Sequence, residues 1–572
     1  MKLGKYNKLL KKEYQDTFND EKIVIKKSSH FRKILIPIYS LVAVVALVFV
    51  VIGIDTLVTN NHNEYVFRHW SEFDKDLTQS SSKELTPINS SDELCSIIDS
   101  YKLTIQDSLL QSIGQPNIGD MAPAGTPQTT PGNMTSGTTT NTQYSNVDET
   151  DIAKCDGNYI YYTYNNKLVI YDLLGNIIGE KEFDGGIKSM YVYNNSIVIF
   201  YRIEGLAFDY VEIFKLNSTL ESVYKHKMNY LDSRLCDNEL IICEIIKLVP
   251  EKLDYDNLYY DGYTCPSTLY EITNINLDTL DVKKTSYTGN YNANLHMTDD
   301  YISIASRVYG YEISGIFTVI SVFNRNLEPV GVLKAKGYIY SQFALHEEND
   351  LFYVVSTDTT AELSHWNQIT VFDLKTLEKI GHLNSGIGLE RHTVRSVRYS
   401  GSSCFVVTYE NKDPLYEIDL SDPKKPTIID EVRGPGYSTY LHQFSIDGVD
   451  YLLGVGFTDS QYQYKVSIYK TTLNNSQLGE DFIIDMSEFY EYSINYKAFF
   501  FYQDTKYLYF GIGSNSGEDK YTILRINVNA DLEVEQVCDE YKVIEIESNT
   551  RCFYIDGNIY LPQLDKLIIE EL

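Results

Sequence analysis

Tryptophan is nearly missing from this chain, with 2 residues in 572, and proline is sparse at 14. The missing motifs exclude more. No C-x-x-C pair occurs among the cysteines at 95, 155, 236, 243, 265, 404, 538 and 552, so no zinc cluster of that kind is present. No phosphate-cradling P-loop and no G-x-S-x-G elbow can be found, and "HEEND" at 346 lacks the second histidine of H-E-x-x-H. Basic charge is also short: 49 Lys/Arg face 79 Asp/Glu, for a net charge of −30. Residues 1–33 hold ten Lys/Arg against four Asp/Glu, so a +6 tail leaves −36 on the remainder. A body this acidic excludes nucleic acid as a partner, because phosphates demand a basic face. Its plainest effect is solubility.

What is present begins with "ILIPIYSLVAVVALVFVVIGI", Ile34 to Ile54, 21 residues without a charge. A helix of that length crosses about 30 Å of hydrocarbon. Lys22, Lys26, Lys27, Arg32 and Lys33 precede it, while Asp55 and Glu64 follow. The positive-inside rule puts residues 1–33 in the cytoplasm and the acidic body outside the cell membrane. No small-x-small cleavage site follows, so a retained single-pass anchor is expected rather than a signal peptide. Residues 55–111 form a juxtamembrane, partly helical segment in which Leu94, Ile97, Ile98 and Tyr101 share one face. Ser91 does not complete a capping box there, so the helix start is loosely marked. Residues 112–143 are rich in Gly, Pro, Thr and Asn and read as a flexible tether.

From residue 144 to 572 strand-length runs such as "NYIYYTY", "KLVIYDL", "SIVIFYRI", "FTVISVF" and "CFVVTYE" alternate with turn residues. Tyrosine reaches 49 residues, and its ring packs in strands while its hydroxyl stays hydrated. A compound unit recurs, as in "KLVIYDLLGNIIGEKEF", "QITVFDLKTLEKIGHL" and "PLYEIDLSDPKKPTIIDEV". Units begin near residues 151, 187, 231, 293, 339, 391, 437 and 493, and a partial ninth closes the chain. The expected fold is an all-β propeller of eight four-stranded blades, within a range of seven to nine. A partial last unit implies ring closure by strands from both ends of the domain.

The segments "NVDETDIAKCDGNYIYY", "SRLCDNELIIC", "YSQFALHEENDLFYVVSTD", "HTVRSVRYSGSSCFVVTYENKDPLYEIDLSDPKKP", "PGYSTYLHQFSIDGVDYLLGVG" and "INYKAFFF" together resemble bacterial secreted or membrane-attached proteins with a C-terminal β-propeller, distantly similar to WD40 propellers. The resemblance implies a fold and no catalytic residue. Two departures stand out: Gln443 occupies a position where that family has Pro after Leu-His, and Tyr496 one where it has His before Lys497. The Asp-box repeats of sialidase-type propellers are absent.

Four sets of residues are candidates for chemistry. Asp148, Glu149 and Asp151 crowd the start of the domain as a candidate calcium site, but their spacing fails the EF-hand loop and a turn or blade edge is the plainer reading. Asp156-Gly157 and Asp556-Gly557 read as hairpin turns. A second acidic loop, with Asp254, Asp256 and Asp261, reads as a solvated insertion. "ERHTVRSVR" supplies Glu390, Arg391, Arg395 and Arg398, which could bind a carboxylate or phosphate or form inter-blade ion pairs; His442 and Lys497 join them as ligand candidates. Cys155 and Cys552 both lie near the ring closure and could form a disulfide clasp. No cofactor beyond that calcium is implied. The expected function is a non-enzymatic, membrane-anchored scaffold that binds a protein or a cell-wall glycan. Alternatives are a surface glycan hydrolase or lyase using channel carboxylates, and a sensor reporting through the cytoplasmic tail.

Overall fold

The computed structural model describes residues 82–99 and 142–572, with breaks at 218, 264–265, 291–292, 311–314, 360–364, 390–391, 410–412, 435, 447, 459–462, 472–475, 478–481, 486–495, 505, 514–519, 529–533 and 547–549. The basic tail, the apolar span Ile34 to Ile54 and residues 112–141 of the Gly/Pro/Thr tether lie outside the described residues. Among the described residues no helix is long and apolar enough to cross a membrane.

The described strands sort into nine sheets, each led by consecutive antiparallel strands. In chain order they occupy residues 153–182, 185–228, 230–289, 293–336, 345–387, 393–434, 437–485, 500–545 and 553–571. The units expected from the recurrence coincide with the first eight, and the ninth has three strands. First strands are buried, as in Leu345–Glu348, whereas fourth strands such as Ile177–Glu182 are largely exposed. The first strand of each sheet is therefore innermost.

Neighbouring sheets bury their facing side chains together. Tyr161 and Ile170 of the first sheet pack with Met190 and Phe214 of the second, and each later sheet shares a cluster with the next. The cycle closes where Phe553, Ile555 and Tyr560 of the ninth sheet meet Ile160, Tyr162 and Val169 of the first. Each such fully buried side chain contributes about 1.5–3 kcal/mol. Strands from both ends were expected to complete the last unit. Instead, among the described residues no N-terminal strand joins the ninth sheet, and closure comes from packing and polar contacts. Arg551 binds Asp151 at 2.8 Å and the Tyr171 hydroxyl donates to the Gln563 carbonyl at 2.7 Å.

Tyrosine is used differently from the half-wet role expected of it. Tyr171, Tyr191, Tyr440 and Tyr521 are among the largest fully buried side chains. Their hydroxyls find partners inside the protein, as when Tyr521 donates to the Ala498 carbonyl at 3.1 Å.

Residues 82–99, assigned to the juxtamembrane segment on sequence, are built into this domain. Ser82–Lys83 extends the fourth sheet along Pro329–Lys336, and Thr86–Pro87 pairs with Leu258–Tyr260. The latter strand arises in the acidic insertion and runs parallel to Val282–Gly289, so that loop is an edge element rather than a solvated excursion. Residues 91–99 are helical, and Leu94 is fully buried against Ile88, Leu258 and Leu269. The cap lies one residue earlier than Ser91: the Ser90 hydroxyl accepts from the Glu93 N–H at 3.2 Å, and the Glu93 carboxylate accepts from the Asn89 N–H at 2.9 Å.

One cross-strand pair works against stability. Glu244 stands directly opposite Glu271 in the third sheet. Burial, reinforced by the Glu271 charge, pushes the Glu244 carboxyl up to about 7. A raised carboxyl stabilises the fold below its unfolded value and loses that contribution as pH rises through about 7. Glu244→Gln is therefore expected to gain about 1–3 kcal/mol over wild type at pH 8 and almost nothing at pH 4. Denaturant midpoints at the two pH values check this, and a gain independent of pH would refute the assignment.

Candidate functional site

The hairpins joining first and second strands fix a common register at the centre of the domain. Lys154, Tyr191, Arg234, His296, His346, Arg398, Phe444, Tyr502 and Phe553 each pair with the residue seven positions further on, as in Lys154 with Tyr161 and Arg398 with Phe405. Five of these nine are basic residue types, within a chain of net charge −30. Lys154, Arg234, His296, His346 and Arg398 are all buried. Buried basic groups need partners, and the lead-in segment 142–151 supplies several of them.

Tyr144 sits between two imidazoles, its hydroxyl 3.0 Å from His296 Nε2 and 3.0 Å from His346 Nδ1. The Glu347 N–H donates to the same oxygen at 3.1 Å, completing the one donation and two acceptances a phenol can make. Burial depresses both histidines below their ordinary range, so both are neutral at pH 7. Lys154 Nζ meets Asp148 at 2.5 Å and donates to the Glu149 carbonyl at 2.6 Å. Arg234 pairs with Asp232 at 2.8 Å and donates to the Gln342 side chain.

Glu149 is 2% exposed and accepts from the Tyr496 hydroxyl and from Gln342 Nε2 at 3.1 Å. Lys497 Nζ stands 3.6 Å from it and donates to the Thr150 carbonyl at 2.7 Å. Burial alone would raise this carboxyl, but Arg234, Lys497 and the Tyr496 hydroxyl hold it below the usual range.

The acids of the lead-in segment, considered for calcium, thus do not converge on one point. Asp148 faces Lys154, Glu149 faces Tyr496 and Lys497, and Asp151 faces Arg551. Among the described residues no group of three His, Cys, Asp or Glu side chains is placed to hold a metal. In the second acidic loop Asp261 is buried and caps the Tyr263 N–H at 2.9 Å, while Asp254 caps Asp256 at 3.0 Å. Asp556 and Gly557, at φ 48 and 88, are the central turn residues expected. Asp156 instead flanks its turn and caps the Asn158 and Tyr159 N–H groups at 2.8 Å.

The basic candidates separate. Glu390 and Arg391 lie outside the described residues. Arg395 sits beside a strand irregularity that turns it out of register with Arg398, and its guanidinium lies 5.7 Å from the Tyr409 ring centre. His442 is buried between Phe499 and Phe501, its Nδ1 3.1 Å from the Tyr440 hydroxyl. Cys155 and Cys552 are free thiols, so no clasp links them. Cys552 packs toward the eighth sheet, whereas its neighbour Phe553 and Cys155 belong to the cluster between the ninth and first sheets. The two sulfurs therefore lie in different clusters, on opposite sides of the ninth sheet.

Above the histidines lies a pocket of about 300 Å³. Its walls are the first hairpins of the fourth to sixth sheets, with Gln443 from the seventh and Tyr144, Ser145 and Asn146 from the lead-in segment. Four carboxylates line it: Asp299, Asp300, Glu347 and Glu348. Glu347 is buried, accepts from Thr298 Oγ1 at 2.7 Å and from the Asp350 N–H at 3.0 Å, and titrates above the usual carboxylate range because of that burial. Sequence reasoning missed this pocket, although Gln443 and Tyr496, the two departures from the family pattern, both fall at the centre of the domain.

Meander sheets packed face to face in a closed cycle, first strands innermost, define a β-propeller. The chain belongs to the Beta propeller domain family, which matches residues 137–571. It is 34% identical over 163 residues to the protein MJ1554 of Methanocaldococcus jannaschii, covering 28% of this chain and 25% of that one. An Archaeoglobus fulgidus protein is 36% identical over 139 residues, covering 24% and 21%. The match thus spans about a quarter or less of either relative's length. Among solved structures, BamB from Moraxella catarrhalis aligns over 55% of this chain and 80% of its own, at 13% identity and a TM-score of 0.31. AztD from Citrobacter koseri aligns over 68% and 94%, at 10% identity and a TM-score of 0.34.

Proposed function

We propose that this protein is a membrane-anchored, cell-surface binding propeller whose acidic pocket takes an amine-bearing segment of a wall glycan. The anchor is Ile34 to Ile54, with residues 1–33 cytoplasmic. One observation carries the reading: a polar pocket assembled from hairpins of successive sheets, with Asp299, Asp300 and Glu348 exposed in its wall. Loops mounted on a rigid ring suit recognition, and clustered carboxylates favour a cationic or polyhydroxylated ligand. The test uses the full chain in detergent against immobilised wall glycans and peptidoglycan fragments. Retention is expected without release of shorter fragments, and the triple variant D299N/D300N/E348Q is expected to weaken it at least tenfold. A variant that binds like wild type would remove the pocket from the reading.

A second reading, hydrolysis, is favoured by Glu347, a carboxyl held above its usual range beside ionised neighbours. Against it, both Glu347 oxygens already accept hydrogen bonds from Thr298 and Asp350. Release of fragments in the same assay, abolished by Glu347→Gln, would establish it.

A further inference from the structure

We propose that Arg398 is the cationic floor of an enclosed anion site, one that takes a small monovalent anion, either a halide or a carboxylate of formate or acetate size. The inference does not depend on the glycan reading: it concerns a buried side chain two residues from Ser400, which lines the acidic pocket, and not the pocket's carboxylates.

Four of the five basic residues of the inner layer are answered by the protein itself. Lys154 has Asp148, Arg234 has Asp232, and His296 and His346 share the Tyr144 hydroxyl. Arg398 is the exception. It is 1% exposed, and its Nε, Nη1 and Nη2 all lack a hydrogen-bond partner. Among the described residues no carboxylate forms an ion pair with it.

Leaving a guanidinium in that condition is costly, since a buried charge without a partner carries a penalty of several kcal/mol. Most buried basic groups escape by shedding the proton. Arg398 cannot: burial pushes it down only to about 10, so it stays charged at neutral pH. An acidic domain of this size has carboxylates to offer, yet folds with none here. The penalty is removed if a mobile anion fills the role.

The surroundings fit an anion. Ser396, two residues earlier on the same face of Thr393–Ser400, is buried with a hydroxyl that also lacks a partner and can donate. Across the sheet boundary, burial and the Arg398 charge together hold His442 neutral, so it adds no second positive charge for a monovalent ligand to balance. The size of the ligand follows from enclosure. Ser400, two residues beyond Arg398, lines the acidic pocket, whereas Arg398 does not reach it. With Arg398 1% exposed, a ligand beside it must be small enough to be enclosed, which excludes phosphate esters and glycan acids.

The experiment measures thermal unfolding of the full chain in detergent while chloride, formate or acetate replaces a bulky sulfonate at constant ionic strength. For wild type a saturable rise of about 1–3 °C is expected with at least one small anion, and none with the sulfonate. Chloride acting alone would identify a halide site; formate or acetate acting alone, a carboxylate site. Arg398→Met should raise the melting temperature in sulfonate and abolish the anion-dependent increment. Arg398→Lys, which keeps the charge, should retain the increment at higher anion concentration. Equal anion dependence in wild type and Arg398→Met would overturn the proposal, as would a wild type insensitive to every small anion. Should Arg398→Met fail to fold, anomalous scattering from bromide-soaked wild-type crystals decides the halide case, and the Arg398→Lys titration decides the carboxylate case.

Discussion

Replacing Arg551 by Ala is expected to lower stability by about 3–5 kcal/mol, the usual cost of stripping one partner from a buried ion pair. Asp151 is 3% exposed and Arg551 6% exposed. Nε of Arg551 contacts both Asp151 oxygens, at 2.9 and 3.0 Å, and Nη2 adds a contact at 2.8 Å. The backbone of Asp151 meanwhile exchanges hydrogen bonds with Met190 at 3.1 and 2.8 Å, which ties the same residue to the second sheet. One aspartate therefore holds the start of the first sheet, the edge of the second and the chain's last sheet together. The partners are 400 positions apart, so the pair closes a loop that spans nearly the whole domain. Asp151→Ala should cost a similar amount, because it leaves Arg551 charged and buried. The double variant should cost clearly less than the sum of the singles. A double-mutant cycle on urea midpoints measures the coupling, and single losses below about 1 kcal/mol would show that packing alone closes the ring.

Much of the ring was legible because strands announce themselves locally. Runs such as "SIVIFYRI" and "CFVVTYE" are β-branched and aromatic between turn residues, and their recurrence located six units within two residues of the sheets and the other two within seven. The inner layer was harder to see because its members stand 37 to 62 residues apart in chain order, from Lys154 and Tyr191 to Arg234, His296, His346 and Arg398. A usable signal was nonetheless present. In "AKCDGN", "SRLCDN", "LHMTDD", "LHEEND" and "VRYSGS" a basic residue precedes the first central turn residue by three positions. Aligning the hairpins, rather than searching for motifs along the chain, brings the layer out. The partners of Glu149 and Asp151 could not be read that way. Tyr496 and Arg551 lie hundreds of residues downstream, and a single sequence carries no record of which distant side chains meet. The capping of residues 91–99 shows the opposite case, in which a shift of one residue from Ser91 to Ser90 finds the Ser-x-x-Glu pair already written in "SSDE", with the Glu93 carboxylate reaching the Asn89 N–H.

Glu149→Ala is expected to have the second large effect, again about 3–5 kcal/mol, because it removes a buried carboxylate from two cations and two hydrogen-bond donors at once. Tyr496 and Gln342 lose this acceptor, while Lys497 keeps the Thr150 carbonyl. Arg234 retains Asp232 at 2.8 Å, which limits the damage on that side. Glu149→Gln separates charge from shape: it preserves an acceptor for Tyr496 and should cost about 1–3 kcal/mol. The pH dependence tells the two contributions apart. Because the folded protein holds the Glu149 carboxyl below its unfolded value, the ionised form stabilises the fold above that value, near 4.5. That contribution disappears as pH falls through the folded value. The stability gap between wild type and Glu149→Gln should therefore be full at pH 7 and close on acidification below about 4.5. A gap that stays constant down to pH 3 would mean the charge is irrelevant and only the shape matters. The same variants report on how the centre of the ring is held. Tyr144 enters between His296 and His346 on the segment that Glu149 anchors, so Glu149→Ala should also expose the 142–151 stretch to proteolysis before the sheets unfold. Cleavage there under conditions that leave the rest of the domain intact would show that the lead-in segment is a separately stable plug on the inner basic layer. Simultaneous loss of segment and sheets would make it part of the cooperative core.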